Sequence, residues 1–263
     1  MRKFKIVEYN IQSDKIASKK PFQIVMLSDL HNCEYGKGNI QLLEQIKTIN
    51  PKMVLISGDM IVGSDTNMKR TMDFLKELVQ YFPVYYANGN HEQKAKVGKK
   101  DIAIAYRKYK SVLERVGIVF LDNKSKRLTI EETVLHLYGY DLPLPYYKKF
   151  CYKKIKSENI TQAIGRIKKN GYHILLAHNP MHFQAYAEWG ADLTLAGHLH
   201  GGIIRLPFMG GVMASQVQLF PKYDRGLYTI EDKKMIVSAG LGEHTIKLRI
   251  NNPTQLVIIN LHG

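Results

Sequence analysis

The chain has 263 residues, 45% of them hydrophobic, and carries 38 Lys and Arg against 23 Asp and Glu, a net charge of +15. This composition excludes a disordered or low-complexity protein and allows a large core. Two cysteines exclude a disulfide-stapled scaffold, and no apolar run reaches membrane-spanning length. The positive charge favours an anionic partner (a phosphate ester, nucleic acid or an anionic membrane surface), although the lysines are scattered as on any Lys-rich surface.

In chain order, residues 3–16 alternate partially and predict a leading strand. Residues 22–27 are a short apolar run that predicts a buried strand, followed by a helix over 39–49 with Leu42, Leu43 and Ile46 on one face. Asn50-Pro51 stops that helix. A buried strand over 53–56, an amphipathic helix over 69–82 and a strand over 84–87 follow. Residues 102–116 read as helix and 118–121 as a short strand. Strand and helix alternate here as in βαβ units of a mainly parallel sheet. Residues 128–138 predict two strands joined by a turn, 159–169 a helix, and 173–176 and 193–196 two more buried strands. Beyond residue 203 the chain reads as β-rich, with a hairpin of 227–230 and 235–238 and a last strand over 255–261. Two sheets packed face to face with helices outside account for the pattern. No linker or repeat divides it, so residues 1–263 are expected to form one domain.

Five polar segments fall just beyond strand ends, where open α/β sheets bind their ligands. They are Ser28-Asp29-Leu30-His31, Ser57-Gly58-Asp59, Gly89-Asn90-His91-Glu92, Ala177-His178-Asn179-Pro180 and Gly197-His198-Leu199-His200. Asp29 and His31 lie two apart and can aim at one ion. Asp59 is placed to bridge two, Asn90 offers a neutral amide oxygen, and His178, His198 and His200 add imidazoles. Paired divalent ions need such oxygen and imidazole donors, with a carboxylate between them for charge balance. One Asp-x-His alone is more often a turn or a cap; five such elements in order are not.

The set D-x-H, G-D, G-N-H-E, H and G-H-x-H resembles the calcineurin-like metallophosphoesterase superfamily. Residues 201–207, 220–223 and 240–242 are similar to its bacterial branch of small standalone enzymes. The resemblance implies a four-layer α/β/β/α sandwich. It implies that Asp29, His31, Asp59 and His200 hold one metal, and Asp59, Asn90, His178 and His198 the other. His91 is then not a ligand but faces the substrate as proton donor or charge stabiliser. The chemistry implied is phosphoester hydrolysis by a water that two ions activate, with a phosphodiester favoured over a monoester and a lipid-linked or other amphiphilic diester as one substrate class. Donor chemistry suits manganese, iron or zinc, and the resemblance favours the first two. A nuclease, a monoesterase and a non-catalytic module for an anionic partner are the alternatives.

One position departs from the family pattern. Where many members carry an Asp that holds the catalytic histidine, this chain has Val62. Glu92, Asp65 or a backbone carbonyl is then expected to orient His91. Cys33 reads as a free thiol at the rim. His244 is a candidate substrate contact. Residues 146–154 interleave aromatics with lysines and suit stacked bases or an anionic bilayer, although a basic loop with inward aromatics is the simpler reading. Residues 203–220 read as core packing, with a cover over the site as the alternative. Free thiols and the lack of a signal-peptide pattern place the chain in the cytoplasm, with room for peripheral membrane contact.

Overall fold

Adjacent residues of the buried strands point into different layers, and both faces are covered. In the computed structural model, which describes residues 2–18, 20–148, 151, 153–202, 205–206, 210–211, 221–243 and 249–263, the strands form two six-stranded sheets. The first takes β1 (Lys5–Gln12), β2 (Phe22–Leu27), β3 (Met53–Ile56), β4 (Val84–Tyr86) and β5 (Val119–Phe120). The second begins with β6 (Ser125–Ile130), β7 (Thr133–Gly139), β8 (Tyr172–Leu176) and β9 (Leu193–Ala196). A short ribbon, β10 (Arg205–Leu206) with β11 (Gly210–Gly211), precedes β12 (Gly226–Ile230), β13 (Lys233–Val237) and β14 (Gln255–His262).

Sheet order is β1-β14-β2-β3-β4-β5 in the first and β12-β13-β9-β8-β7-β6 in the second. β2, β3, β4 and β5 run parallel, as do β7, β8, β9 and β13. The antiparallel pairs are β14 on β2, β6 on β7, and β12 on β13. The first sheet's helical cover is α1 (Ile40–Ile49), α2 (Lys69–Leu78), α3 (Asn90–Val97) and α4 (Lys100–Arg115); α5 (Ser157–Ile164) and α6 (Phe183–Trp189) cover the second.

Period-two alternation builds the layers. Val25, Leu27, Val54 and Ile56 meet Leu42, Phe74, Leu75 and Tyr106 beneath the helices. Their neighbours Ile24, Met26, Met53 and Leu55 meet Leu137, Ile174, Leu176 and Leu195 between the sheets. Leu175, Ala177 and Val237 then pack on Ile160, Phe183, Tyr186 and Trp189. The result is the expected four-layer α/β/β/α sandwich, with two mixed sheets flanked by helices.

The differences from expectation are local. α3 begins inside the Gly89-Asn90-His91-Glu92 segment, where no separate helix is predicted. α5 stops at Ile164 because Gly165 takes φ +82°, a left-handed backbone that breaks the helix short of Lys169. Among the described residues, no helix is long and apolar enough to cross a membrane.

Candidate metal centre

All five polar segments meet at one place. β2, β3 and β4 deliver Asp29, Asp59 and Asn90 from the first sheet, and β8 and β9 deliver His178, His198 and His200 from the second. Backbone bonds lock the loops together: Asp29 N–H donates to Gly58 O, His31 N–H to Asp59 O, and Gly197 N–H to His178 O, at 3.0–3.1 Å. The backbone itself is unusual. Asp29, His31, Asp59, His198 and His200 all have φ between +48° and +70°. Left-handed conformations of residues with a Cβ cost about 1–2 kcal/mol each and gather at functional sites. Asp29, Asp59 and His178 are almost fully buried.

Among the described residues, three groups can converge on an ion with donor atoms within 4.8 Å of one another: Asp29, His31 and His200; Asp59, His178 and His198; and His31, Asp59 and His91. His31 Nε2 lies 3.2 Å from His200 Nε2, and Asp59 Oδ2 lies 3.0 Å from His178 Nε2 and 3.8 Å from His31 Nε2. Asp29 Oδ1 in turn lies 3.3 Å from His200 Nε2 and 3.7 Å from His178 Nε2, so both buried carboxylates reach an imidazole on each side. Asn90 Oδ1 is sealed from water with no hydrogen-bond partner among the described residues. A buried acceptor in that state is costly, and a cation satisfies it. His178 Nδ1 faces Ser57 O at 2.7 Å, a bond that needs the proton on Nδ1 and leaves the Nε2 lone pair for a metal. The donor set fits two divalent ions.

Close approach also explains the glycines. Gly58 has φ +102°, and a Cβ there would strike Gly89 and come within 2.9 Å of His178 Nδ1. A methyl group at Gly197 would overlap the Asp29 carboxylate, which also accepts from Ser28 Oγ and from His198 N–H at 3.0 Å.

His91 corrects one expectation. Among the described residues neither Glu92, Asp65 nor a carbonyl holds it; instead Gly63 N–H donates to His91 Nδ1 at 2.9 Å. The backbone just past Val62 thus takes the place of the missing carboxylate, with the opposite hydrogen-bond sense. A ring that accepts at Nδ1 carries its proton on Nε2, so it offers a donor rather than a lone pair. This argues against His91 as a ligand in the third group, although its ring centroid is only 4.6 Å from that of His31. His91, His31, Val62 and Cys33 line a groove of about 670 Å³. Cys33 is a free thiol at this rim and accepts from Arg2 Nη1 at 2.6 Å.

Glu92 has a different task. Its buried carboxylate accepts the N–H groups of Asp59, Met60 and Gly89 at 2.8–2.9 Å and the Tyr86 hydroxyl at 2.7 Å. It fastens the Asp59 loop to the Asn90 loop. Arg249 lies behind His200: its Nη2 is 3.1 Å from Nδ1, and closer to the carbonyls of Ala239 and Gly242. Neither role has a signal in the sequence beyond an acid after Asn90-His91 and an arginine near the end. His244 lies outside the described residues, as does most of 203–220. In segment 146–154, Tyr147 is buried and Tyr146 packs on the same outer core, as does Ile155 just beyond, while Lys148, Lys153 and Lys154 are exposed; 149, 150 and 152 lie outside the described residues. Tyr146 and Tyr147 face inward.

The ionisable groups set the conditions for metal capture. Burial pushes His178 down, but Asp59 and Asp29 beside it raise it to about 9. Burial raises Asp29 to about 6, only partly offset by His178. Burial also pushes Asp59 up, yet His178 and His91 hold it well below the usual carboxylate range. The metal-free centre thus keeps a proton on His178 against Asp59, and a divalent ion must displace it. Manganese affinity should rise about tenfold per pH unit for that one proton, up to about pH 9. Calorimetric titrations across that window check this, and a flat profile would contradict it. For the metal-free fold the sign is opposite. The contribution of His178 is complete below 6.5 and is lost as pH rises through about 9.

Two sheets whose parallel strand ends converge on imidazoles and carboxylates define a protein of the metallophosphoesterase fold. The calcineurin-like phosphoesterase profile matches residues 22–202, and the chain belongs to that family. It is 30% identical to an uncharacterized metallophosphoesterase of Campylobacter jejuni over 93% of this chain and 60% of that one. It is 27% identical to the uncharacterized metallophosphoesterase YkoQ of Bacillus subtilis over 92% of this chain and 84% of that one. Phosphodiesterase YaeI of Escherichia coli is 24% identical over 92% of this chain and 82% of its own length. The chain therefore spans about three fifths of the Campylobacter relative and more of the other two. Among solved structures, the phosphopantetheinyl hydrolase PptH of Mycobacterium tuberculosis aligns with a TM-score of 0.50 at 12% identity, over 84% of this chain and 90% of that one. TT1561 of Thermus thermophilus aligns with a TM-score of 0.51 at 10% identity, over 85% and 91%. At these identities the likeness is one of fold.

Proposed function

We propose that this chain hydrolyses a phosphodiester using two divalent ions that share Asp59, with Asp29, His31 and His200 on one side and Asn90, His178 and His198 on the other. The observation that carries the reading is the pair of buried carboxylates, Asp59 and Asp29, each in reach of an imidazole from both groups of donors; the family pattern favours Asp59 as the shared one. Bound there, two ions supply an activated water near neutral pH and neutralise phosphate charge. The residues do the rest. The left-handed loops fix the donors, the Glu92 staple fixes Asp59, and His91 offers Nε2–H to the substrate from the groove side. Manganese or iron is the expected pair, with zinc the third choice. The diester preference draws support from the likeness to the Escherichia coli phosphodiesterase. The groove sets Arg2, Arg70 and His91 beside Val62 and Cys33, so a diester with a polar leaving group and a lipid-linked one are both substrates to assay. We place the protein in the cytoplasm on its free thiols.

The test is hydrolysis of bis(p-nitrophenyl) phosphate by protein reconstituted with manganese, iron, zinc, cobalt or nickel, with single-stranded DNA and a monoester as comparisons. Protein inert with every metal would sink the proposal. His91→Ala should lower kcat about 10²- to 10³-fold with metal content unchanged. His91→Gln, which keeps a side-chain donor, should lose less. Loss of metal in His91→Ala would instead make His91 a ligand.

A further inference from the structure

Tyr147 ends the short 3-10 turn Leu144–Tyr147 on the outer side of the second sheet. Its ring stands edge-on to His198 at 5.0 Å and lies 6.3 Å from His178. The residue is 8% exposed, and its hydroxyl is sealed with no hydrogen-bond partner among the described residues. Tyr186, in the same core layer, shows the usual outcome: its hydroxyl donates to Asn179 O at 2.9 Å. A buried hydroxyl without a partner costs stability, and phenylalanine would fill the same space without that cost. Packing therefore accounts for the ring and not for the oxygen.

A phenol is a hydrogen-bond donor at neutral pH. What it lacks is an acceptor, and the neighbouring centre is built to receive an anion. The chain leading into the turn is also held: Gln93 of α3 donates to Leu142 O at 3.0 Å, which ties it to the helix that begins at Asn90.

We propose that the Tyr147 hydroxyl donates a hydrogen bond to a phosphoryl oxygen of the bound phosphate ester, from the His178–His198 side of the centre. His91 approaches from the His31 side, so the two donors flank the phosphoryl group. The proposal rests on the phosphoesterase reading and adds a substrate contact to it. No proton is transferred and no bond is broken at Tyr147; its contribution is orientation and stabilisation of charge.

The test is Tyr147→Phe in the manganese-loaded protein. Expected are unchanged metal content and melting at or above the wild-type temperature, since an unpartnered hydroxyl has been removed. Turnover of bis(p-nitrophenyl) phosphate should fall about tenfold or more in kcat/KM, and inorganic phosphate should bind about tenfold more weakly by calorimetry, as for loss of one hydrogen bond to a charged group. Wild-type activity with turnover and phosphate binding equal in Tyr147→Phe would overturn this proposal alone. Wild-type protein that neither turns over the diester nor binds phosphate would overturn both it and the phosphoesterase reading. A lowered melting temperature with unchanged kinetics would assign the hydroxyl a structural partner and overturn it too.

Discussion

Asp59→Asn is expected to abolish diester hydrolysis, by at least about 10³-fold, while leaving the protein folded. The carboxylate is 2% exposed and stands between the two donor groups, 3.0 Å from His178 and 3.8 Å from His31. An amide in its place has the same shape, and one oxygen still accepts the His91 N–H that Oδ1 accepts at 2.8 Å. What disappears is the negative charge that balances two cations and holds the His178 proton. Neither ion then has a shared anionic ligand, and the proton on His178 loses its main support. Steady-state assays on the manganese-loaded variant check this. A variant that keeps a tenth of wild-type activity would remove Asp59 from the bridging position.

The second large effect falls on stability. Glu92→Ala should destabilise the metal-free protein by about 3–5 kcal/mol, as when one side of a buried charged network is removed. Three backbone N–H groups, from Asp59, Met60 and Gly89, and the Tyr86 hydroxyl all lose their acceptor at once. Burial and the charge of Asp59 raise the Glu92 pKa, yet these donors and the Ile61 N–H at 3.4 Å hold the carboxylate in place. Glu92→Gln keeps one oxygen to accept and should lose less. Urea melts of metal-free protein measure the difference. A loss under about 1 kcal/mol would mean that the Asp59 and Asn90 loops stand without the staple. The same variant should also bind metal more weakly, since the Asp59 backbone is what Glu92 grips.

These two residues mark where the sequence is readable and where it is not. Asp59 is legible because it follows an apolar tetrad, Met53–Ile56, and a glycine, and because four similar segments recur at other strand ends. Strand ends and spacing are local properties, and they suffice to place the parallel strands β2 to β5 and to name the residues that the two sheets bring together. Glu92 is legible only as an acid beside His91. That it turns away from His91 and under Asp59 depends on α3 starting at Asn90, and the polar run Asn90–Val97 carries almost no apolar periodicity to reveal a helix. The partner of His91 is a backbone N–H, which no side-chain pattern encodes. The left-handed backbones of Asp29, His31, Asp59, His198 and His200 are equally hidden, since only glycine advertises such conformations. Pairing of β1 with β14 joins the two ends of the chain and has no local signature. Tyr147 stands in a segment whose composition suggests a basic aromatic surface; the fold turns its ring inward, onto His198.

The most direct test of the shared centre is the metal content of manganese-reconstituted protein, measured by elemental analysis on wild type and Asp59→Asn side by side. Two ions per chain in wild type, and fewer than one retained in the variant, are expected if the two donor groups share Asp59. Wild-type protein that holds one ion or none, or a variant that holds as many as wild type, would contradict the dinuclear account.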